Sequence, residues 1–312
     1  MIVKINNLVK RYQELLALDH FNMTVSQGEI FGLLGPNGSG KTTAINCMLA
    51  LLQYDSGEVH IFGERMHPNN YSVKSRIGLV MQNIGVYYQL TVQENVDYFC
   101  GLYINNNKIR QECVDEAIQF VGLDEFRKFK PTKLSGGLLR RLNLACGIAH
   151  RPDLIILDEP TVAVDPQSRN HILAGIKQLA SEGRTILYTT HYMEEVEYLC
   201  DRLTILDRGK EIITGTSDEI KNMSKSGEII TLEVFELNNE VQNQITNLNE
   251  VSDFNYEFGK ATITFEKGKS HLIRLMNILE ENQVPVINMS VKQPSLNDVF
   301  LEITGKELRD HA

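Results

Sequence analysis

No apolar run in the 312-residue sequence approaches the roughly 18 residues needed to cross a bilayer. If the protein works at a membrane, another chain must span it. The opening stretch, MIVKINNLVKRYQ, interrupts its apolar residues with Lys4, Lys10 and Arg11, so it lacks the h-region of a secretory signal peptide. Cysteine is sparse and scattered. Cys47, Cys100, Cys113, Cys146 and Cys200 make no C-x-x-C pair, so neither a zinc site nor a disulfide framework is indicated. They are expected to be buried free thiols in a reducing cytosol. Basic residues are outnumbered by acidic ones, 31 to 40, and the resulting net charge of −9 repels a nucleic-acid backbone. DNA or RNA is therefore not an expected partner. Internal repeats and low-complexity segments are also missing.

What is present is a globular pattern, with 42% apolar residues available for a core. From Met1 to about Thr216, short β-branched or leucine-rich runs alternate with helical periodicity, which predicts an α/β domain around a mostly parallel sheet. The strands expected are EIFGLLG (Glu29 to Gly35), LIILD (Leu154 to Asp158), TILYTT (Thr185 to Thr190) and LTILD (Leu203 to Asp207). From Asn83 onward, helical stretches rich in charge and amide predict a helical subdomain inserted over about 83–150. The pattern restarts after about Thr216 as strand, helix, two strands, helix and strand. In the two central strands Phe254, Tyr256 and Phe258 alternate with polar residues, Gly259 turns the chain, and Ala261, Ile263 and Phe265 alternate again. The order βαββαβ predicts a small α+β, ferredoxin-like domain over 217–312. A last helix starts at Pro294 and Ser295, with Ser295 and Asp298 at capping-box spacing.

Three constellations carry chemistry. GPNGSGKT matches the phosphate-loop pattern at every fixed position and sits between a strand and a helix, as that mechanism requires. The loop of Gly35, Pro36, Asn37, Gly38, Ser39 and Gly40 would surround the phosphates, its glycines letting backbone N–H groups, of which Pro36 has none, approach them, and Thr43 follows in the first helical turn. Lys41 would reach the β- and γ-phosphates, and the Thr42 hydroxyl would ligate Mg²⁺. LIILDEP is an apolar strand ending in two carboxylates, at the edge where ligands bind in open α/β sheets. Asp158 would hold Mg²⁺ through water, and Glu159 would polarise the attacking water. The third, KLSGGLLRRLNLACG, places Ser135, Gly136 and Gly137 at the start of a helix, a second anion site in a chain that already has one.

In this order and spacing, the phosphate loop, LSGGL and LDEP resemble the ATP-binding subunit of an ABC transporter, and the resemblance covers Met1 to about Thr216, so the fold expected is a P-loop NTPase of the ABC ATPase type. It implies that Tyr12 stacks on adenine. Gln82 in GLVMQN is implied as the Q-loop glutamine, near the metal and the reacting water. Ser135, Gly136 and Gly137 correspond to the signature, Asp165 in AVDP to the D-loop, and His191 to the switch histidine. ATP and Mg²⁺ are the implied cofactors. In this family two ATP-binding domains stack head to tail, so the second anion site would serve the partner's ATP, in a homodimer or with a similar chain.

Two departures stand out. Leu138 replaces the usual glutamine after SGG, and FRKFKPTK replaces the glutamate-rich segment of many fused drug exporters. The tail PSLNDVFLEITGKELRD and the stretch THYMEEVEYLCDRLTILDRGK resemble bacterial export ATPases of the daunorubicin-resistance type. That resemblance implies a separate permease of the ABC-2 kind, a place on the cytoplasmic side of the cell membrane, and export of an amphipathic drug or antibiotic. The alternatives are a soluble ABC-type ATPase acting on nucleic acid or ribosomes, which lacks its heptad insertions or doubled ATPase set here, and an ABC importer ATPase.

Overall fold

A computed structural model describes residues 1–224, 226–267 and 271–304. The chain divides into two compact units, one of residues Met1–Ser217 and one beginning at Asp218.

The first unit holds two sheets. One is mostly parallel, in the order Lys210–Gly215, Arg202–Asp207, Ile30–Leu34, Thr185–Thr190, Leu154–Asp158, Ile77–Val80, with only the first pair antiparallel. Ile30–Leu34, Leu154–Asp158 and Thr185–Thr190 are buried at every position, which is why they read as continuous apolar runs without alternation. The second sheet is antiparallel, in the order Leu15–Val25, Val3–Tyr12, Ser56–Ile61, Glu64–Arg65. It was not separated from the parallel sheet by sequence pattern. The register between its two long strands shifts three times, at Ile5/Leu8, Leu8/Lys10 and Lys10/Arg11, and each shift breaks the period of two that marks a half-buried strand.

Helices cover both faces of the parallel sheet. Ile45 of the phosphate-loop helix Lys41–Met48 shares a core with Phe31 and Leu33 and with Ile5, Phe21 and Ile61 of the antiparallel sheet. On the other side the helices Val92–Gly101, Asn107–Phe120 and Gly136–Ile148 supply Val96, Val114 and Leu142 to a core with Ile155, Leu157 and Ile186. The first of these helices starts in a capping box, with Thr91 and Glu94 bonded reciprocally to each other's backbone N–H. Four cysteines are buried and Cys200 is partly so, and all five are free thiols.

The second unit is the α+β domain. Its strands run in the order Val251–Glu257, Lys260–Glu266, Ser226–Val234, Val286–Lys292, all neighbours antiparallel, and Asn239–Thr246 and Leu272–Glu281 are its helices. Numbered in chain order the strands lie 2-3-1-4, the ferredoxin-like arrangement. Ile230, Leu232, Ile263 and Phe265 form the inward face against Val241 and Leu275 of the helices. Phe258 differs from the alternation expected of it. It occupies the hairpin turn at φ +50 and is fully exposed, so the inward set ends at Tyr256. The last helix, Leu296–Thr304, begins at the expected box: Ser295 N–H donates to Asp298 Oδ2 at 2.7 Å and Asp298 N–H to Ser295 Oγ at 3.3 Å. Ser270 and the tail beyond Thr304 lie outside the described residues.

Candidate nucleotide site

The parallel sheet sets the geometry. Ile30–Leu34 lies between Thr185–Thr190 and Arg202–Asp207, and Leu154–Asp158 pairs in parallel with Thr185–Thr190, so Asp158 stands opposite Thr189 and Leu34 opposite Thr190. All carboxyl ends therefore meet at one edge, and the phosphate loop leaves the sheet there. Gly40 closes the loop at φ +112, where a Cβ would stand 2.7 Å from the carbonyl oxygen of Ala17, so only glycine fits. Ser39 is 2% exposed, and its Oγ has no hydrogen-bond partner among the described residues. A buried orphan hydroxyl in a loop of this kind fits a phosphate oxygen as its missing partner.

Lys41 is buried beneath the loop. Its Nζ donates to the carbonyls of Gly35 (2.8 Å) and Pro36 (3.2 Å) and pairs with Glu159 Oε1 at 3.1 Å, both side chains being 5% exposed. Thr42 Oγ1 donates to Asp158 Oδ2 at 2.9 Å, and Thr189 Oγ1 donates to Asp158 Oδ1 at 2.6 Å. The hydroxyl and the carboxylate are hard oxygen ligands side by side, the donor set that suits Mg²⁺. Glu159 sits in the left-handed region at φ +49, a conformation costing roughly 1–2 kcal/mol. Its N–H is held by both the carbonyl and the hydroxyl of Thr189 at 3.1 Å. Oε2 faces Gln82 Nε2 and His191 Nδ1, each at 3.4 Å. Burial raises the Glu159 pKa, but the His191 contact and the Lys41 charge outweigh burial and hold the carboxyl below its ordinary 4.5. It is an anion at neutral pH.

These residues open on a cleft of about 510 Å³ lined by Tyr12, Asn37, Gly38, Lys41, Thr42, Thr43, Gln82 and Glu159. Tyr12 is 45% exposed at its rim, with the Lys10 ammonium 5.2 Å from its ring centroid. Ser135, Gly136, Gly137 and Asp165 are not among the lining residues. Ser135 caps the helix Gly136–Ile148 and is itself exposed, as is Gly136, where a Cβ would meet nothing within 4 Å. Gly137 is different. A Cβ there would stand 2.3 Å from Ser168 Oγ and 2.9 Å from Asp165 Oδ2, so its missing side chain serves packing inside the chain. Asp165 caps the helix Pro166–Ser181 by accepting from Ser168 N–H at 2.9 Å, which holds its own pKa down. The structure thus gathers Gln82, Asp158, Glu159 and His191 around the phosphate loop and places the Ser135 and Asp165 segments together elsewhere.

Sequence reasoning missed Thr189, which fixes both Asp158 and the backbone of Glu159. It also missed Arg140, whose guanidinium donates to the carbonyl of Gln82, and Arg208, which lines the cleft from a hairpin turn at φ +45. The one available signal was the Thr-Thr pair ending the apolar strand Thr185–Thr190, since buried hydroxyls at a ligand-binding edge need acceptors.

A family model described as ABC transporter matches residues 18–162, and one described as ATP-binding protein DrrA1-3-like, C-terminal domain, matches residues 215–304. The linearmycin resistance ATP-binding protein LnrL of Bacillus subtilis (strain 168) is 36% identical over 311 residues, covering 99% of this chain and 100% of that protein. The daunorubicin resistance ATP-binding protein DrrA2 of Streptomyces coeruleorubidus is 33% identical over 312 residues, covering 97% and 95%. Among solved structures, the dimeric post-hydrolysis state of the ATP-binding cassette MJ0796 bound to ADP and Pi superposes with a TM-score of 0.64 at 27% identity, over 69% of this chain and 98% of that one.

Proposed function

The chain belongs to the ATP-binding subunits of ABC transporters, in the branch with a DrrA-like C-terminal domain, and from that premise we propose how it turns over ATP and what it serves. It is an ATPase coupled to transport. Two copies bind ATP head to tail, each nucleotide held by the phosphate loop of one subunit and covered by Ser135 and Gly136 of the other. The observation that carries this is the separation of the two anion sites: the cleft is lined by Lys41, Thr42 and Glu159 but by no signature residue, while Ser135 and Gly136 are exposed at a helix start outside it.

Within the cleft the residues divide the work. Tyr12 stacks on adenine, the backbone of Gly35 to Gly40 with Ser39, Lys41 and Thr43 holds the phosphates, and Thr42 and Asp158, with Gln82 nearby, are the residues that would hold Mg²⁺. When bound, that ion neutralises charge on the β- and γ-phosphates. Glu159, ionised and aimed at Gln82 and His191, accepts a proton of the attacking water through Oε2, and His191 orients the γ-phosphate. Asp165, packed on Gly137, lies where the partner subunit closes.

Among the described residues no helix is long and apolar enough to cross a membrane. We place the subunit on the cytoplasmic face, against a separate ABC-2 permease that docks near Gln82. A groove of about 460 Å³ lined by Ile84, Phe99, Leu102 and Tyr103 begins next to that residue, and Tyr87, which packs edge-on against Tyr98 alongside Phe99, is as exposed as Tyr88 and Tyr98. The relatives named for drug resistance support export of an amphipathic antibiotic over import or action on nucleic acid. Purification from gently solubilised membranes tests this. Copurification of a six-helix ABC-2 subunit is expected, and an importer permease in its place would overturn export.

A further inference from the structure

Behind the cleft lies a buried carboxylate that the hydrolysis scheme does not use. Glu195 is 2% exposed, and its Oε2 accepts from three hydroxyls: Tyr188 at 2.7 Å, Thr190 at 2.9 Å and Thr161 at 3.0 Å. Its Oε1 faces Arg169 Nε at 3.4 Å, without the alignment of a hydrogen bond. Each partner lies on a segment bearing a residue of the site. Thr190 precedes His191, and its hydroxyl, while donating to Glu195, accepts from Tyr192 N–H at 3.0 Å, so the backbone on both sides of His191 is tied to this carboxylate. The Tyr192 ring packs on the His191 ring at 4.1 Å, and the Arg169 guanidinium lies 4.7 Å from the centroid of the same tyrosine. Thr161 is two residues beyond Glu159. Arg169 stands in the first turn of the helix capped by Asp165, its N–H bonded to the Asp165 carbonyl at 2.9 Å.

We infer that Glu195 is a positioning residue that joins the Asp165 segment to the switch histidine, so that closure of the partner on Asp165 is transmitted through Arg169, Glu195 and Thr190 to His191. Four groups converge on two oxygens from three different elements, and a buried carboxylate without such partners would cost several kcal/mol. An apolar side chain would fill the same space in a merely structural core, with the hydroxyls bonded to backbone. Here the hydroxyls have been turned to one charged acceptor, and among the described residues the cation facing it is Arg169. Moving the Asp165 helix moves that countercharge. Glu195 touches neither the phosphate loop nor the cleft wall, so its influence falls on the position of His191 rather than on nucleotide affinity.

The inference rests on the two-subunit ATPase reading, and the experiment separates the two. Full-length Glu195→Gln, which keeps the volume and an acceptor but removes the charge, is compared with wild type and Glu159→Gln for kcat, KM and equilibrium ATP binding. The expected result is a kcat lowered about 10- to 10²-fold with ATP affinity within about twofold of wild type, the scale of a misplaced catalytic group. Arg169→Met should give the same split, and combining it with Glu195→Gln should add little further loss, because both act on one link. If Glu159→Gln is inactive while Glu195→Gln or Arg169→Met turns over at the wild-type rate, the link does not exist. A fully additive double variant, or parallel loss of kcat and ATP binding, also overturns it. If Glu159→Gln itself turns over at the wild-type rate, the role given to Glu159 in the proposed site fails, and the kcat of Glu195→Gln and Arg169→Met still decides the link to His191.

Discussion

Glu159→Gln is the most informative single change because it acts on three observables in different directions. The substitution keeps the shape and removes the charge that Lys41 faces at 3.1 Å in a site where both side chains are 5% exposed. Stripping one partner from a buried pair costs about 3–5 kcal/mol when the other is left bare. Lys41 is not bare, since the carbonyls of Gly35 and Pro36 hold two of its three protons, so the net loss should be about 1–2 kcal/mol. For a unit of this size that lowers the nucleotide-free melting midpoint by about 2–8 °C. ATP binding should move the other way. The ammonium no longer has an internal carboxylate competing with phosphate, and an advantage of about 1 kcal/mol tightens ATP roughly fivefold. Turnover should fall about 10²- to 10⁴-fold, the contribution of a positioned base, trapping an ATP-bound dimer.

The pH dependence carries its own sign. The Glu159 carboxyl is held below 4.5 in the folded chain, so its stabilisation is complete above that ordinary value and is lost as pH falls through the lower folded one. The stability gap between wild type and Glu159→Gln should therefore be full at pH 7 and close only in acid, as pH falls below 4.5 and through the lowered folded value. Calorimetric melts across pH, an ATP titration and a phosphate-release assay read all three. Wild-type turnover would refute the role given to Glu159, and a stability gap that persists undiminished in acid would refute the ion pair as its source.

Other consequences can be read more briefly. Leu138→Gln should leave ATPase activity nearly unchanged or mildly raised, because Ser135 and the helix N–H groups remain; a loss beyond about tenfold, more than a core-edge side chain is expected to cause, would show that the packing of Leu138 on the helical core matters more than its place in the signature. Gly137→Ala should lower activity without weakening ATP binding at the cleft, since the added methyl collides with Ser168 and displaces Asp165; an unchanged rate would mean that this contact is dispensable. A chain ending at Ser217 should still bind ATP with Mg²⁺, every cleft residue lying before that point; a folded truncation that cannot bind would show that the second unit completes the site.

Sequence made the chemistry legible where a local pattern is itself the mechanism. The glycines and lysine of GPNGSGKT, and two carboxylates closing an apolar strand, need no tertiary information, and the parallel strands announced themselves because burial on both faces leaves an unbroken apolar run. The antiparallel sheet stayed hidden because its bulges scramble the alternation. Phe258 was misplaced because an aromatic in a turn has the same spacing as one in a strand. Thr189 was marked only by the Thr-Thr pair that ends its apolar strand, whereas Arg140 and Glu195 were illegible for a deeper reason. Each acts through a partner tens of residues away in sequence, and an arginine or a helical glutamate carries no mark of what folding will set against it.

The central claim, that one catalytic site is built from two subunits, is tested most directly by mixing two variants that are each inactive, Lys41→Ala and Ser135→Arg, with the membrane partner present. Ser135 is exposed, so the arginine has room, and loss of the Ser135 cap on Leu138 N–H should cost only about 1 kcal/mol. Random pairing makes about half of the dimers mixed, and each mixed dimer has one interface with both defects and one with none, so about a quarter of all sites are intact. The account predicts recovery of about a quarter of wild-type ATPase activity from two dead proteins. If the mixture is as inactive as its components, phosphate loop and signature do not meet across a subunit interface, and the explanation of the second anion site is wrong.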